Sequence, residues 1–169
     1  MKTIALLQAE LKKLFEETVL GDQILLKNTS GEAVTVKGFE QSLPIRKDDG
    51  EDTSEEAEDA GSFMPFFILR VNEGETEARR DPEEVSWSMI FGVYDNTPDN
   101  QGHKDVLALI ERVKSYIQMH PLLASCAYVP EENSRIRWKL QEEDTWPYFF
   151  GSLSFPTQVP SEGVEDEYI

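Results

Sequence analysis

Apolar residues recur every three or four positions over residues 3–19, which is the spacing of one face of an α-helix. Thr3 is typical of a helix N-cap, and Gly21 follows as a stop signal. A second stretch with the same spacing covers residues 103–119 and ends just before Pro121. The chain is therefore predicted to form two amphipathic helices that each pack one face on a core.

The pattern changes elsewhere to short apolar runs and strict alternation, which are typical of β-strands. Alternation is clearest over residues 85–95, where one face is strongly apolar and the other is mixed. Further strands are predicted at 24–26, 34–36, 65–71, 124–129, 135–140 and 148–155. Together these elements predict an α+β fold, with a mixed, mainly antiparallel sheet and the two helices packed on one of its faces.

Three polar stretches interrupt these elements and hold 18 of the 33 acidic residues. Residues 46–61 and 72–84 are predicted to be mobile acidic insertions, and residues 161–169 a disordered acidic tail, because such segments bury too little apolar area to offset their ordering entropy. At 169 residues the chain suits one core, so residues 1–160 are predicted to form a single α+β domain.

The formal net charge of -17 argues against specific nucleic-acid binding, since affinity for phosphate requires clustered Lys and Arg. No apolar stretch approaches the ~20 residues that span a bilayer, so no membrane association is expected. Cys126 is the single cysteine and has no cationic neighbour, which indicates a buried structural thiol in a protein made in a reducing cytoplasm.

No pattern in the sequence points to catalysis, a cofactor or a metal. His103 and His120 stand at opposite ends of the second predicted helix, about 25 Å apart at 1.5 Å per residue, so they cannot share an ion. Phosphate-binding loops, nucleophile elbows and Cys–His arrangements are missing from the sequence. We therefore expect a protein that is not an enzyme; an enzyme with an unfamiliar site would instead show a deep pocket with convergent polar groups.

One segment departs from the acidic background. Arg135, Arg137 and Lys139 alternate with apolar residues, and a period of two places the three cations on one face of a strand. They form either an exposed face that pairs with nearby acids or a strip that contacts an acidic surface of a neighbouring subunit.

Two stretches resemble the tail terminator, or tail completion (head–tail joining), proteins of long-tailed bacteriophages. Residues 87–117 (WSMIFGVYDNTPDNQGHKDVLALIERVKSYI) combine a strand, an Asp-containing turn and an amphipathic helix, and residues 146–160 (WPYFFGSLSFPTQVP) are similar to the closing strand of that family. The resemblance implies a structural virion protein without catalytic activity. Its subunits form a homo-oligomeric ring, often of six copies, which caps the tail tube and joins it to the head connector.

The resemblance also implies a location in the bacterial host cytoplasm during assembly and then in the virion tail, with a prophage as another source. Acids near the ring channel would repel phosphate and let DNA slide through. The expected channel-facing residues are Asp48, Asp49, Glu51, Asp52, Glu55, Glu56, Glu58 and Asp59. The alternative function is that of an acidic DNA mimic or inhibitor that occupies a basic site on a host protein.

Overall fold

The computed structural model describes residues 3–21, 23–45, 60–78, 81–130 and 135–160. The helices are α1 (Ile4–Lys13), which continues as a π-helical segment (Leu14–Val19), and α2 (His103–Met119). The strands are β1 (Leu26–Lys27), β2 (Ala33–Val34), β3 (Lys37–Glu40), β4 (Phe66–Glu75), β5 (Glu83–Tyr94), β6 (Leu122–Leu123), β7 (Cys126–Ala127), β8 (Arg137–Leu140) and β9 (Tyr148–Val159).

Helix α1 begins where the sequence predicts, because the Thr3 hydroxyl accepts a hydrogen bond from the backbone N–H of Leu6 at 3.1 Å. Its last turns widen, and the N–H of Leu20 bonds to the carbonyl of Phe15 at 2.9 Å, five residues back. The wider turns bring both Val19 and Leu20 into the core. Helix α2 has the predicted bounds, and His103 and His120 lie at its two ends.

Seven strands form one mixed sheet in the order β3-β4-β5-β9-β7-β6, with β8 also paired to β9. Strand β3 runs parallel to β4, and the other pairs in this sheet are antiparallel. Strands β1 and β2 form a separate antiparallel hairpin. This architecture confirms the predicted α+β fold with a mainly antiparallel sheet.

Both helices pack on one face of the sheet, as predicted. Trp87 of β5 is fully buried there, together with Phe15 of the π-helical segment and Ile110 of α2. The Trp87 indole N–H donates to the hydroxyl of Thr157 at 2.8 Å, and that hydroxyl donates to the carbonyl of Val85 at 3.2 Å. The core therefore includes a hydrogen-bonded polar group between the two longest strands.

Three predictions of secondary structure need correction. The polar loop predicted at 72–84 is largely a β-hairpin, because β4 continues to Glu75 and β5 already begins at Glu83. The strand predicted at 124–129 is instead the turn and second strand of a tight β6–β7 hairpin, with Ala124 at φ 52° in the turn. Strand β3 was not predicted, because its four residues have neither an apolar run nor a clean alternation.

The acidic insertion predicted at 46–61 ends earlier than expected. Ala60 and Gly61 are buried, and Ala60 belongs to a second apolar cluster with Phe66. Residues 46–59 and the predicted tail at 161–169 lie outside the described residues. None of the described helices is long and apolar enough to cross a membrane.

Candidate functional site: an uncovered sheet face

The sheet face opposite the helices is only partly covered by described residues. Along β5 the residues that face the helices are buried, while Ser86, Ser88 and Ile90 on the opposite face are half-buried. Strand β9 shows the same alternation, with Ser152 and Ser154 half-buried. Much of this second face is therefore lined by small polar side chains that leave the surface accessible.

The strand register brings two arginines and two serines into one row across this face. Arg137 of β8 pairs with Ser154 of β9, Ser154 pairs with Ser88 of β5, and Ser88 pairs with Arg70 of β4. Residues directly opposite each other in an antiparallel pair point to the same face, so all four side chains share it. At ~4.8 Å per strand, the Cα atoms of Arg70 and Arg137 lie about 14 Å apart.

Lys139 extends the cationic surface along β8. It lies two residues beyond Arg137 on the same face and pairs in register with Ser152. Its ammonium group lies 3.2 Å from the carboxylate of Glu142, but both side chains are highly exposed (70% and 81%). Such an exposed ion pair contributes little, because water screens it, so Lys139 can exchange this partner for another. We call Arg70, Ser88, Ser154, Arg137 and Lys139 the basic strip.

Two shallow cavities of about 490 and 620 Å³ lie beside the basic strip. Ile90 and Phe150 line both of them, so the cavities adjoin on the same face of the sheet. Lys139 borders the smaller cavity and Arg70 the larger one. The accessible face thus combines an apolar floor with a cation on each side.

The far end of this face is closed by the second apolar cluster. The cluster's buried part consists of Ala60, Met64, Phe66 and Ile68, and Phe39 of β3 packs against it. The ring of Phe39 meets the ring of Phe66 edge to face, with centroids 6.5 Å apart. The cluster is separate from the main core, and Phe66 and Ile68 also line the larger cavity on the β4 side of the face.

A β-bulge near the end of β4 changes which side chains face this surface. The register runs from Val71 opposite Trp87 to Glu73 opposite Ser86, so Asn72 is the extra residue. The Ser88 hydroxyl donates to the Asn72 side-chain carbonyl at 3.1 Å. Beyond the bulge, Glu73 and Glu75 lie on the same face of the sheet as the basic strip.

The β4–β5 hairpin beyond the bulge carries a concentration of carboxylates. We call residues 72–78 and 81–84 the acidic arm; all of them are exposed except the half-buried Glu83. Glu75 lies directly opposite Glu84 in the register. Like charges at directly opposed positions repel and destabilise the pair, so the arm carries a charge repulsion that a cationic partner would relieve.

The structure brings together two of the three predicted contact cations. Arg137 and Lys139 share one face of β8, while Arg135 is exposed and precedes the strand. Arg70 was missed, although its alternation with Leu69 and Val71 in the predicted strand at 65–71 was a signal for it. The predicted channel-facing acids Asp48, Asp49, Glu51, Asp52, Glu55, Glu56, Glu58 and Asp59 lie outside the described residues.

The other titratable groups give no second site among the described residues. Burial raises the pKa of the Cys126 thiol to about 11, and a hydrogen bond with Thr157 opposes that shift only in part. Burial, together with the charge of Asp95, also raises the pKa of Asp105. Within the described ranges, no three His, Cys, Asp or Glu side chains converge on a point where a metal ion could bind.

Comparison of the chain with models of known protein families found no match, and comparison with curated proteins found none either. The basic strip and the acidic arm are therefore interpreted from their own geometry and charge.

Proposed function

We propose that this chain is a structural subunit that assembles with copies of itself into a ring, and that the ring caps a phage tail tube and joins it to the head connector. The observation that supports self-assembly is the basic strip, a cationic surface on an accessible sheet face of a chain whose net charge is -17. A cationic surface on a chain with this net charge is complementary in sign to an acidic surface on another copy.

The fold also suits an assembling subunit. The sheet buries one face under α1 and α2, and the described residues leave part of the other face accessible, with apolar floor residues such as Ile90 and Phe150 between the cations. An interface needs apolar area for affinity and charged groups around it for orientation. The assignment to the end of a phage tail rests on the resemblance of residues 87–117 and 146–160.

The experiment that tests this function is the mass of the protein in solution, measured by light scattering over a wide concentration range and again with a phage tail tube protein from the same source. We expect a discrete oligomer, alone or on the tube protein, and ring-shaped particles by electron microscopy. A monomer at every concentration that also fails to bind the tube protein would refute the proposal.

The same measurement of mass distinguishes the proposed ring subunit from the alternative function. An acidic DNA mimic acts on a basic host protein and has no need to associate with itself. It would therefore remain monomeric and would instead bind a basic DNA-binding protein in competition with DNA.

A further inference from the structure

The acidic arm and the basic strip have matching charge spacings. Glu73 and Glu75 are two residues apart on one face of β4, and Arg137 and Lys139 are two residues apart on one face of β8. A repeat of two residues in a strand is about 6.7 Å in both cases. Two carboxylates can therefore meet two cations at the same time without distortion of either strand.

The arm of one copy lies beside Arg70 of its own strip, but it cannot make this paired contact with its own Arg137 and Lys139. Arg137 pairs with Ser154, whereas Glu73 joins β9 through Ser86 and Pro156. From the strand and residue spacings, the Cα atom of Glu73 lies about 16 Å from that of Arg137, and the Cα atom of Glu75 lies about 20 Å away. Fully extended Glu and Arg side chains barely span the shorter distance and do not span the longer one, so the two carboxylates cannot pair with Arg137 and Lys139 of their own copy at the same time.

We propose that the acidic arm of one subunit binds the basic strip of a neighbouring subunit, with Glu73 and Glu75 paired to Arg137 and Lys139. This inference rests on the proposed self-assembly and specifies its contact. The half-buried Ser154, between the two arginines in the row, supplies a hydroxyl that can donate to a carboxylate. The contact also places cations near the repelling pair Glu75 and Glu84.

This contact predicts how the copies are arranged. The arm and the strip are different surfaces of one molecule, so a single contact joins copies head to tail. A head-to-tail contact that closes gives a ring, which is the arrangement that the proposed function requires. Two copies placed face to face around a two-fold axis would instead use the contact twice and stop at a dimer.

Charge reversal tests the contact directly. One variant reverses the strip (Arg137→Glu with Lys139→Glu) and another reverses the arm (Glu73→Lys with Glu75→Lys). All four side chains are exposed, so both variants are expected to fold, which circular dichroism checks. Matched controls carry the same change of charge at other exposed positions, namely Lys13→Glu with Lys104→Glu and Glu17→Lys with Glu111→Lys.

We expect each reversed variant alone to associate at least about tenfold more weakly than the native chain, because two attractive pairs become repulsive. A one-to-one mixture of the two variants should regain native association, since each arm then meets a strip of opposite charge. The controls should associate like the native chain. Association of the native chain should also weaken in 0.5 M NaCl, where screening is stronger.

The outcomes separate this contact from the proposed function. If the native chain assembles and the arm-reversed variant associates as strongly as the native chain, the arm–strip contact is overturned but the proposed ring is not. Failure of the mixture to regain association would overturn the contact in the same way. If the mixture regains association but the native chain has the mass of a dimer, the arm–strip contact is supported and the ring is contradicted. A native chain that never associates would overturn both the contact and the ring.

Discussion

Replacement of Thr157 by valine tests the account of the core. The Thr157 side chain is 1% exposed and lies between the two longest strands, where it accepts from the Trp87 indole N–H at 2.8 Å and donates to the Val85 carbonyl at 3.2 Å. Valine has the same shape and β-branching but has a methyl group in place of the hydroxyl. Thr157→Val therefore removes the hydrogen bonds with almost no change in packing.

The size of the effect follows from the buried indole. Trp87 is fully buried, so its N–H loses its partner without access to water, which costs ~1–3 kcal/mol. We expect Thr157→Val to lower the free energy of unfolding by about 2 kcal/mol, or the melting temperature by about 4–8 °C for a domain of this size. The same substitution at the exposed Thr35 should change stability by no more than ~0.5 kcal/mol.

A double-mutant cycle in urea, followed by circular dichroism, isolates this contact. In a Trp87→Phe background the indole donor is absent, so Thr157→Val should cost much less than in the native chain. We expect a coupling free energy of about 1–2 kcal/mol. Equal costs in both backgrounds, or a loss below ~0.5 kcal/mol in the native background, would refute the hydrogen-bond account.

Two further predictions concern titratable groups. Because burial raises the pKa of Cys126 to about 11, the thiol should remain protonated and react with a maleimide at pH 8 far more slowly in the folded than in the urea-unfolded protein; equal rates would contradict its burial. The pKa of Asp105 is raised in the folded state, so the folded protein binds a proton at this carboxyl more tightly than the unfolded protein does. The contribution of Asp105 to the free energy of unfolding should therefore fall as pH rises from the ordinary carboxyl pKa through the raised pKa. Urea unfolding at several pH values should show that fall as a declining difference in stability between the native chain and Asp105→Asn, and a difference that does not change with pH would contradict it.

The elements whose apolar residues recur at a regular spacing were predictable from the sequence. Helix α2 begins and ends as predicted because its apolar residues keep one face over four turns and Pro121 follows. Strand β5 was recognised because every second residue from Val85 to Val93 faces the core. In both elements one face is buried, and the apolar residues on that face recur in the sequence at the spacing of a helix or a strand.

In the acidic arm, amino-acid composition predicts the wrong secondary structure. Residues 72–84 contain six acids and no large apolar side chain before Val85, which is typical of a loop. The structure extends both strands into this region because backbone pairing continues from the buried parts of β4 and β5 past the bulge at Asn72. Hydrogen bonds between strands depend little on side-chain polarity, so the hairpin persists without an apolar core of its own.

The candidate site was predictable only in part. The alternation around Arg137 and Lys139 identified two of its cations, since a period of two places them on one face. Its other arginine, Arg70, joins them through the register of four strands, which depends on long-range pairing. Glu73 and Glu75 lie on the same face as the basic strip because of the bulge at Asn72, and no local pattern in the sequence predicts that bulge.

The central claim, that copies of this chain join through the arm and the strip, is tested most directly by cross-linking at defined positions. Glu77→Cys places a thiol in the arm, Ser154→Cys places one in the strip, and the buried Cys126 provides a nonreactive background. A mixture of the two variants, treated with a short bismaleimide, should give a covalent pair of chains much faster than either variant alone. A mixture that cross-links no faster than the separate variants would contradict the claim.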